Sequence, residues 1–530
     1  MVADAIAATL KAYGAQFAFG IPGNDVLELI RACEEAGIRF VLAKSEPSAA
    51  FMADAVFQVT GRTAVLIAAL GPGIANAISG IAGAQQERSV LVGEMATKQA
   101  GIYTHQVFDH VALATPVTKL AATLNPSRAA QQIAKALDIA LAYPPGPVLL
   151  NCPADLGRAA ASEQAQAPRR SLPSSLTAES RAAAETLLQG ARRPLMLAGR
   201  GALREGMAPP LRAFAEAWAM PVLTTYKAKG LIDEHHALAL GSLGLSPVAD
   251  AETLKLVGAA DLLVLVGFDP IELRDAWIDA WAADRNVLSL DWGSLPHRMF
   301  PTGTEAQGDV RAMLSRLAGN ARPAAWPKAD LDGHRARIAA IARPRQPARG
   351  ISPAALFKAV SDRVRPDWLM SVDVGAHRIL ANHAILCRSP GQLLQSNGLG
   401  HMGYALPAAI GASLARPGAP VVALIGDGSL LMSLGELALA AELGLPIVVV
   451  VLDDQALALI KLKQAKMQMS PRAVDFAGPR FDLLANGFGI DGVRVETQVA
   501  FEQALEAALA AGRLTVIDAV VDPSEYWEQM

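Results

Sequence analysis

Two carboxylate motifs, each directly after an apolar run, are the strongest chemical signal in the sequence. Gly426-Asp427-Gly428-Ser429 follows the run Val421–Ile425, and Asp453-Asp454 follows Ile447–Leu452. Two carboxylates together with phosphate oxygens suit Mg²⁺, a hard ion that prefers oxygen ligands. Glycines at the end of a strand let backbone amides approach a phosphate. The motifs therefore predict a magnesium and diphosphate site, although Gly-Asp-Gly alone also forms ordinary turns.

The elements that must position these carboxylates are apolar runs of strand length that alternate with amphipathic stretches of helix length. This alternation is typical of parallel sheets flanked by helices, so the predicted class is α/β. The spacing between Asp427 and Asp454 leaves room for one helix and one strand, so the two are expected at the ends of adjacent strands. The predicted helices of the first third are Asp25–Ala36 and Ser48–Thr60. The predicted strands are Phe17–Phe19, Phe40–Leu42, Ala64–Ala68, Ser89–Val92, Val148–Leu150, Pro194–Ala198, Pro221–Thr224, Leu262–Val266, Val287–Leu290, Trp368–Val372, Val421–Ile425, Ile447–Leu452 and Leu514–Val521.

The chain is too long, at 530 residues, for a single hydrophobic core. A stretch rich in Ala, Gln, Pro, Arg and Ser, from about Arg158 to Ser175, is a predicted linker. A polar, proline-bearing tract from Ala321 to Gly350 separates the second unit from the third. The predicted domains are 1–165, 176–325 and 350–530.

Composition and charge favour a globular protein that acts on small molecules. Apolar residues make up 52% of the chain and charged residues 18%, which argues against extended disorder. The formal net charge of -3 gives no strong field for nucleic acid or an anionic membrane, and neither is a predicted partner. Three distant cysteines and an N-terminus without a secretory signal favour the cytoplasm. Acidic residues interrupt the apolar stretch 421–452, so no membrane span is predicted there.

Further motifs resemble those of thiamine diphosphate enzymes. Gly20-Ile-Pro-Gly23 follows the first predicted strand, Glu46 the second, and Gly71-Pro-Gly73 with Asn76 the third. This order is similar to the amino-terminal domain of acetohydroxyacid synthases and benzoylformate decarboxylases. The resemblance implies a pyrimidine-binding domain at 1–165, a central domain at 176–325 and a diphosphate- and magnesium-binding domain at 350–530.

The rest of the chain carries the same resemblance. Gln106 and Pro116-Val-Thr-Lys119 are similar to acetohydroxyacid synthase and benzaldehyde lyase, and Gly398–Gly403 with Ala405–Gly411 is similar to both groups. In the family signature, Gly-Asp-Gly-Ser is followed by a pair of asparagines. Here that pair is Asp453-Asp454, which adds negative charge beside a diphosphate.

The resemblance assigns roles to individual residues. Glu46 would hydrogen-bond the cofactor's pyrimidine nitrogen and support proton transfer, and Gln106 and His105 are the other candidate catalytic residues, although His105 could be purely structural. Met402 would wedge between the two rings of the cofactor, and Gly400 would offer its carbonyl to the amino group. Ala376 lacks the amide of the family glutamine beside His377. The other implied cofactor contacts are Gly23, Asn24, Gly73, Asn76, His377, Gly426, Gly428, Ser429 and Ala456, and the implied metal ligands are Asp427, Asp454 and Ala456.

The implied reaction is decarboxylation of a 2-oxo acid, with protonation of the resulting enamine or its addition to an aldehyde or a second oxo acid. The alternatives are an acetolactate synthase-like carboligase and a non-catalytic diphosphate-binding protein of the same fold. Asn24 and Ala69 stand where benzoylformate decarboxylases carry serine and histidine. Lys463 falls where acetohydroxyacid synthases carry tryptophan, and it fits either an anion-binding group or a solvated helix lysine.

The resemblance also bears on the central domain and the assembly. Acetohydroxyacid synthases hold a flavin there, but Gly199-Arg-Gly201 lacks the full dinucleotide fingerprint, so no FAD is expected. The family builds its active sites between subunits. A homodimer or homotetramer is therefore the implied assembly.

Overall fold

The computed structural model describes residues 1–97, 106, 108–153, 157–160, 165–168, 177–282, 284–295, 299–396 and 398–529. Over these ranges the chain forms three six-stranded sheets in succession, and the strands in each sheet are parallel. Helices cover the sheets, so the predicted α/β class is confirmed. His105, a candidate catalytic residue, lies outside the described residues.

The first sheet has the strand order β2-β1-β3-β4-β6-β5. Its helix α3 begins at Glu46, two residues before the predicted start, because Ser45 caps it through the Ser48 N–H and Pro47 fits the first turn. Its strand β4 runs beyond the predicted Ser89–Val92. The strands are β1 Phe17–Ile21, β2 Arg39–Leu42, β3 Ala64–Ala68, β4 Leu91–Thr97, β5 Leu120–Thr123 and β6 Val148–Pro153; the helices are α1 Val2–Ala12, α2 Leu27–Glu35, α3 Glu46–Thr60, α4 Pro72–Gln86, α5 His110–Ala114 and α6 Ala129–Leu141.

The second sheet has the order β12-β11-β10-β7-β8-β9. Helix α11 lies in the tract 321–350 that was expected between domains. It packs on this unit through His334 and Arg335, which contact the carbonyls of Leu240 and Ala239 on β9. The strands are β7 Pro194–Ala198, β8 Val222–Thr225, β9 Ala239–Leu243, β10 Leu262–Val266, β11 Val287–Asp291 and β12 Thr304–Gln307; the helices are α7 Ala178–Gly190, α8 Ala208–Ala217, α9 Pro247–Ala259, α10 Val310–Leu317 and α11 Lys328–Ile341.

The third sheet has the order β14-β13-β15-β16-β18-β17. Its central strands β15 and β16 are buried along nearly their whole length, as expected for a parallel sheet covered on both faces. The strands are β13 Leu369–Val372, β14 Leu393–Gln395, β15 Val421–Gly426, β16 Ile447–Asp453, β17 Asp491–Val495 and β18 Thr515–Val520; the helices are α12 Pro353–Ser361, α13 Ala376–Ala384, α14 Ala405–Ala415, α15 Asp427–Ser433, α16 Glu436–Glu442, α17 Ala458–Lys466, α18 Phe481–Gly487 and α19 Gln498–Ala511.

Helices α3 and α14 join the first and third sheets into one apolar core. A Cβ at Gly411 would collide with the backbone of Met52, so the two helices approach closely only because Gly411 has no side chain. Across this seam, the Tyr404 hydroxyl donates to Asp54 at 2.8 Å. None of the helices in the described part of the chain is long and apolar enough to cross a membrane.

Candidate active site

Adjacent strand ends bring Asp427 and Asp454 together. Strands β15 and β16 pair in parallel with Gly426 opposite Leu452, and each aspartate stands at or just after the end of its strand. Asp427 accepts the Gly428 N–H and the Gln455 N–H, both at 2.6 Å. Asp454 accepts the Ala456 N–H at 3.1 Å. The Gln455 N–H, which directly follows the Asp-Asp pair, therefore helps to fix the carboxylate of Asp427 in the Gly-Asp-Gly-Ser motif.

The electrostatics of this pair suit a divalent cation. Burial raises the pKa of Asp427 to about 6. Burial, and then the charge of Asp427, raises the pKa of Asp454 to about 8. Two buried carboxylates that repel each other are stabilised when a cation lies between them. The carboxylate oxygens of this pair are ligands of the kind that Mg²⁺ prefers.

The first aspartate of the Asp-Asp pair has a different partner. Asp453 is 3% exposed, and its Oδ2 accepts from Arg494 Nη1 at 2.9 Å. The same Nη1 donates to Asp518 at 2.6 Å. Arg494 thus compensates the charge of Asp453, and the departure from the asparagine pair leaves only Asp454 as an added negative charge at the metal position.

Next to these carboxylates lies a cradle formed by His377 and glycines. His377 is buried, and burial lowers its pKa to about 4, so its imidazole is neutral. Its Nε2 atom has no hydrogen-bond partner among the described residues. A Cβ at Gly375 would lie 2.5 Å from the His377 ring, and a Cβ at Gly426 would lie 3.1 Å from it. An unpartnered ring nitrogen beside two such glycines fits a ligand that carries phosphate oxygens.

The segment with Gly400 and Met402 precedes helix α14. Gly400 and Gly403 adopt φ values of +65° and +82°, a region that favours glycine. Met402 is half-buried between them. A Cβ at Gly403 would lie 3.2 Å from Met432 Cβ and 3.5 Å from the Ser429 carbonyl oxygen. This segment therefore packs directly on α15, which carries Gly428 and Ser429.

The first domain gathers its own group of candidate residues. Glu46 is half-buried at the start of α3, and its Oε2 accepts from Asn76 Nδ2 on α4 at 2.6 Å. Gly23 and Gly73 face the strand end at Ala69: a Cβ at Gly23 would lie 2.7 Å from Ala69 Cβ, and one at Gly73 would lie 3.5 Å from it. Asn24 follows Gly23 in the same turn. The turns after β1 and β3 thus meet at Ala69, and Asn76, on the helix that follows the second turn, contacts Glu46.

Gln106 is exposed, with φ of +69°, and lies against the turn after β3. A Cβ at Gly71 would come within 2.8 Å of Gln106 Cβ. The Gly71 N–H points to His110 Nε2 at 3.4 Å. His110 was not among the predicted residues, and its place within a helix gave no signal for it.

The candidates therefore form two groups, one on the first domain and one on the third. Within the described ranges no hydrogen bond or ion pair joins Glu46 to Asp427 or Asp454. Two residues of the third-domain group were not predicted from the sequence, namely the half-buried Arg494 and the buried Asp373. Asp373 carried a usable signal, because it directly follows the apolar strand β13 as Asp427 follows β15.

The central domain has a glycine turn, Gly199 to Gly201, after β7, where the strand order changes direction. The N–H groups of Gly199 and Gly201 donate to carbonyls of the β10 end at 2.9 Å. The Arg200 N–H donates to Glu272 Oε2 at 2.9 Å. Glu272 is buried and also accepts from the Thr225 hydroxyl at 2.6 Å. A carboxylate of the chain itself thus occupies the position where a phosphate would accept from this turn.

Comparison with known proteins agrees with the three-sheet architecture. The model of the thiamine pyrophosphate enzyme N-terminal TPP binding domain matches residues 1–113, that of the central domain matches 181–317, and that of the C-terminal TPP binding domain matches 373–519. Thiamine pyrophosphate and thiamine diphosphate are the same compound.

Relatives match over nearly the full chain. A probable 2-ketoarginine decarboxylase of Pseudomonas aeruginosa is 32% identical over 97% of this chain and 93% of its own length. The acetolactate synthase large subunit of Parasynechococcus marenigrum is 30% identical over 99% and 88%. The acetolactate synthase isozyme 2 large subunit of Escherichia coli is 29% identical over 97% and 94%. With three consecutive domain matches and this coverage, the chain belongs to the thiamine pyrophosphate enzyme family.

Proposed function

We propose that the protein decarboxylates a 2-oxo acid with thiamine diphosphate and Mg²⁺, and that the carbon that loses carbon dioxide then takes up a proton or is joined to a second carbonyl compound. The observation that carries this proposal is the pair of buried carboxylates, Asp427 and Asp454, beside the unpartnered nitrogen of His377. When bound, the cofactor supplies a nucleophilic carbon and a sink for the electrons released with carbon dioxide.

The residues of the chain bind this cofactor and move its protons. Asp427, Asp454 and the Ala456 carbonyl bind the metal. Gly426, Gly428, Ser429 and His377 bind the diphosphate oxygens. Glu46 holds a proton for the pyrimidine ring, and Asn76 orients the Glu46 carboxyl group through its 2.6 Å hydrogen bond. A protein that only stored the diphosphate would have little use for such a carboxyl group, so the arrangement favours an enzyme over a binding protein.

The names of the relatives support both outcomes of the reaction. One is called a 2-ketoarginine decarboxylase and two are called acetolactate synthases, and identities near 30% do not separate them. The deciding experiment incubates the protein and Mg²⁺–thiamine diphosphate with a panel of 2-oxo acids, including pyruvate and 2-ketoarginine. Carbon dioxide with an aldehyde product indicates a decarboxylase, whereas carbon dioxide with a ligated hydroxyketone indicates a carboligase. No turnover of any 2-oxo acid contradicts the proposal.

We also propose that this chain works without a flavin. The turn after β7 already satisfies its N–H groups within the chain, and the buried Glu272 carboxyl group accepts the Arg200 N–H that a diphosphate would otherwise need. The Tyr143 hydroxyl also fills space next to this turn, because it would lie 2.7 Å from a Cβ at Gly201. The purified protein should be colourless and should show no FAD binding by calorimetry. A yellow chromophore released on denaturation would contradict this.

The active unit is proposed to be a homodimer or homotetramer in which the first domain of one chain meets the third domain of its partner. Large apolar side chains beside both groups are exposed, namely Leu42, Leu399 and Met432, as at association surfaces. The test co-expresses Glu46→Gln with Asp427→Ala, each inactive alone. If sites form between chains, mixed dimers regain one intact site, and activity returns to about a quarter of wild type. Sites confined to one chain would give no recovery.

A further inference from the structure

We propose that Asp373 is a positioning residue that holds the Gly400–Gly403 segment against the Gly-Asp-Gly-Ser turn, so that both present a fixed surface to the cofactor. This inference rests on the proposed function. It adds a residue to which no binding or catalytic role has been given above.

Asp373 bonds to two separate parts of the site. It directly follows β13 and is fully buried. Its Oδ1 accepts the Gly403 N–H at 3.1 Å, and its Oδ2 accepts the Ala405 N–H at 2.8 Å. The Ser429 side chain also hydrogen-bonds this carboxylate. One side chain therefore joins the segment that carries Gly400 and Met402 to the turn that carries Gly428 and Ser429.

The backbone of the held segment needs such an anchor. Gly400 and Gly403 both have positive φ, and glycine loses more conformational freedom on folding than any other residue. The bonds of Asp373 fall on the Gly403 N–H and the first N–H of α14, while Met432 packs on the other side of Gly403. The segment is thus held by the hydrogen bonds of Asp373 and by packing against Met432. Loss of the Asp373 carboxylate removes the hydrogen bonds and leaves only the packing.

Asparagine is the sharpest replacement, because it has the size of aspartate but only one acceptor oxygen. In Asp373→Asn, the new amide NH₂ would face N–H donors that the carboxylate now accepts. An unmade bond to a buried donor is costly, so the segment should loosen rather than form new bonds.

Ser371 offers a matched control on β13, the strand that ends just before Asp373. It is fully buried, and its hydroxyl donates to the Ala405 carbonyl at 2.7 Å. Ser371→Ala therefore breaks a buried hydrogen bond at the start of the same helix, α14, without touching Gly403 or Ser429.

The experiment compares wild type, Asp373→Asn and Ser371→Ala in two measurements. Hydrogen exchange on cofactor-free protein should be at least about tenfold faster in Asp373→Asn for peptides that cover Leu399–Ala405, and unchanged for Leu399–Gly403 in Ser371→Ala. Calorimetry with Mg²⁺–thiamine diphosphate should show an affinity loss of about 10- to 100-fold in Asp373→Asn only, the range typical of residues that support ligating groups. The Ser371→Ala protein should lose only thermal stability.

The proposal is overturned if exchange of this segment in Asp373→Asn equals that of wild type or of Ser371→Ala, or if faster exchange leaves cofactor affinity intact. If Asp373→Asn does not fold, Asp373→Glu takes its place, because the longer side chain displaces both acceptor oxygens from the Gly403 and Ala405 N–H groups. Wild-type exchange of the segment in that variant overturns the proposal equally. Wild type that binds no thiamine diphosphate contradicts the proposed function, while the exchange comparison still decides whether Asp373 holds the segment.

Discussion

Arg494 on β17 donates through one nitrogen to Asp453 at the end of β16 and to Asp518 on β18, at 2.9 and 2.6 Å. Both aspartates are buried, and Arg494 itself is 17% exposed in its side chain. The arginine thus compensates two buried carboxylates, one of which directly precedes the proposed metal ligand Asp454 in the chain.

The first prediction concerns this arginine. Arg494→Met should destabilise the protein by about 3–5 kcal/mol, because it leaves buried carboxylates without their cation. Chemical denaturation at neutral pH measures the loss. The control is Arg513→Ala, which breaks a pair with Asp491 that is exposed on both sides and should cost at most about 1 kcal/mol. Equal losses of unfolding free energy in both variants would show that the burial of the Asp453–Arg494 pair does not affect stability.

The second prediction concerns the metal. Asp427→Ala removes a carboxylate that the Gly428 and Gln455 N–H groups orient, so it should abolish cofactor binding as well as turnover. Calorimetry with thiamine diphosphate and Mg²⁺ is the measurement. Asp491→Ala, an exposed aspartate at the start of β17, should bind as wild type does. Unchanged affinity in Asp427→Ala would remove this residue from the metal site.

The third prediction separates proton transfer from binding. Glu46→Gln keeps the size of the side chain and an acceptor for Asn76 but removes the acid. The variant should still bind thiamine diphosphate and Mg²⁺. Exchange of the cofactor's acidic thiazolium proton for deuterium should slow by about 10²- to 10⁴-fold, as for general acid–base groups. Exchange at the wild-type rate would show that Glu46 is not the activating carboxyl group.

The fourth prediction is a pH dependence of stability caused by Glu272. Burial raises its pKa from 4.5 to about 7. Below pH 4.5 the residue is protonated in both states and has no effect on the difference. As the pH rises from 4.5 to 7, the unfolded chain loses the proton first, so the folded state becomes less stable by about 3 kcal/mol in total.

Glu272→Gln lacks this titration and keeps an acceptor for the Arg200 N–H. Relative to wild type it should therefore gain stability between pH 4.5 and 7 and stay level above that range. Thermal unfolding of both proteins across this pH range is the measurement, with the exposed Glu305→Gln as control. A constant difference between wild type and Glu272→Gln would show that the carboxyl group titrates normally.

The sequence predicted the inner strands of each sheet and missed most of the outer ones. Strands β5, β9, β12, β14 and β17 were not predicted, and each lies at the edge of its sheet. Inner strands such as β16 are buried on both faces and read as continuous apolar runs. An edge strand such as β17, Asp-Gly-Val-Arg-Val, is half-exposed and carries charges, so its sequence resembles a loop.

The same distinction applies to the site. Asp427 and Asp454 could be placed from sequence because strand ends and glycines are local signals. The partners of Arg494 could not be placed, because the strand order that brings β17 next to β18, and β18 next to β16, is a property of the folded sheet. Glu272 was missed for a similar reason, since its bond to the Arg200 N–H spans two strands that only the fold makes neighbours.

The seam between α3 and α14 limits how this protein can open for its substrate. A hinge between the first and third domains of one chain would have to pull Met52 away from Gly411 and break the bond from Tyr404 to Asp54. These contacts lie in a continuous apolar core, so such a motion would expose that core to water. A separation of these two domains would therefore be costly, whereas substitutions in the turns after the strands leave this shared core intact.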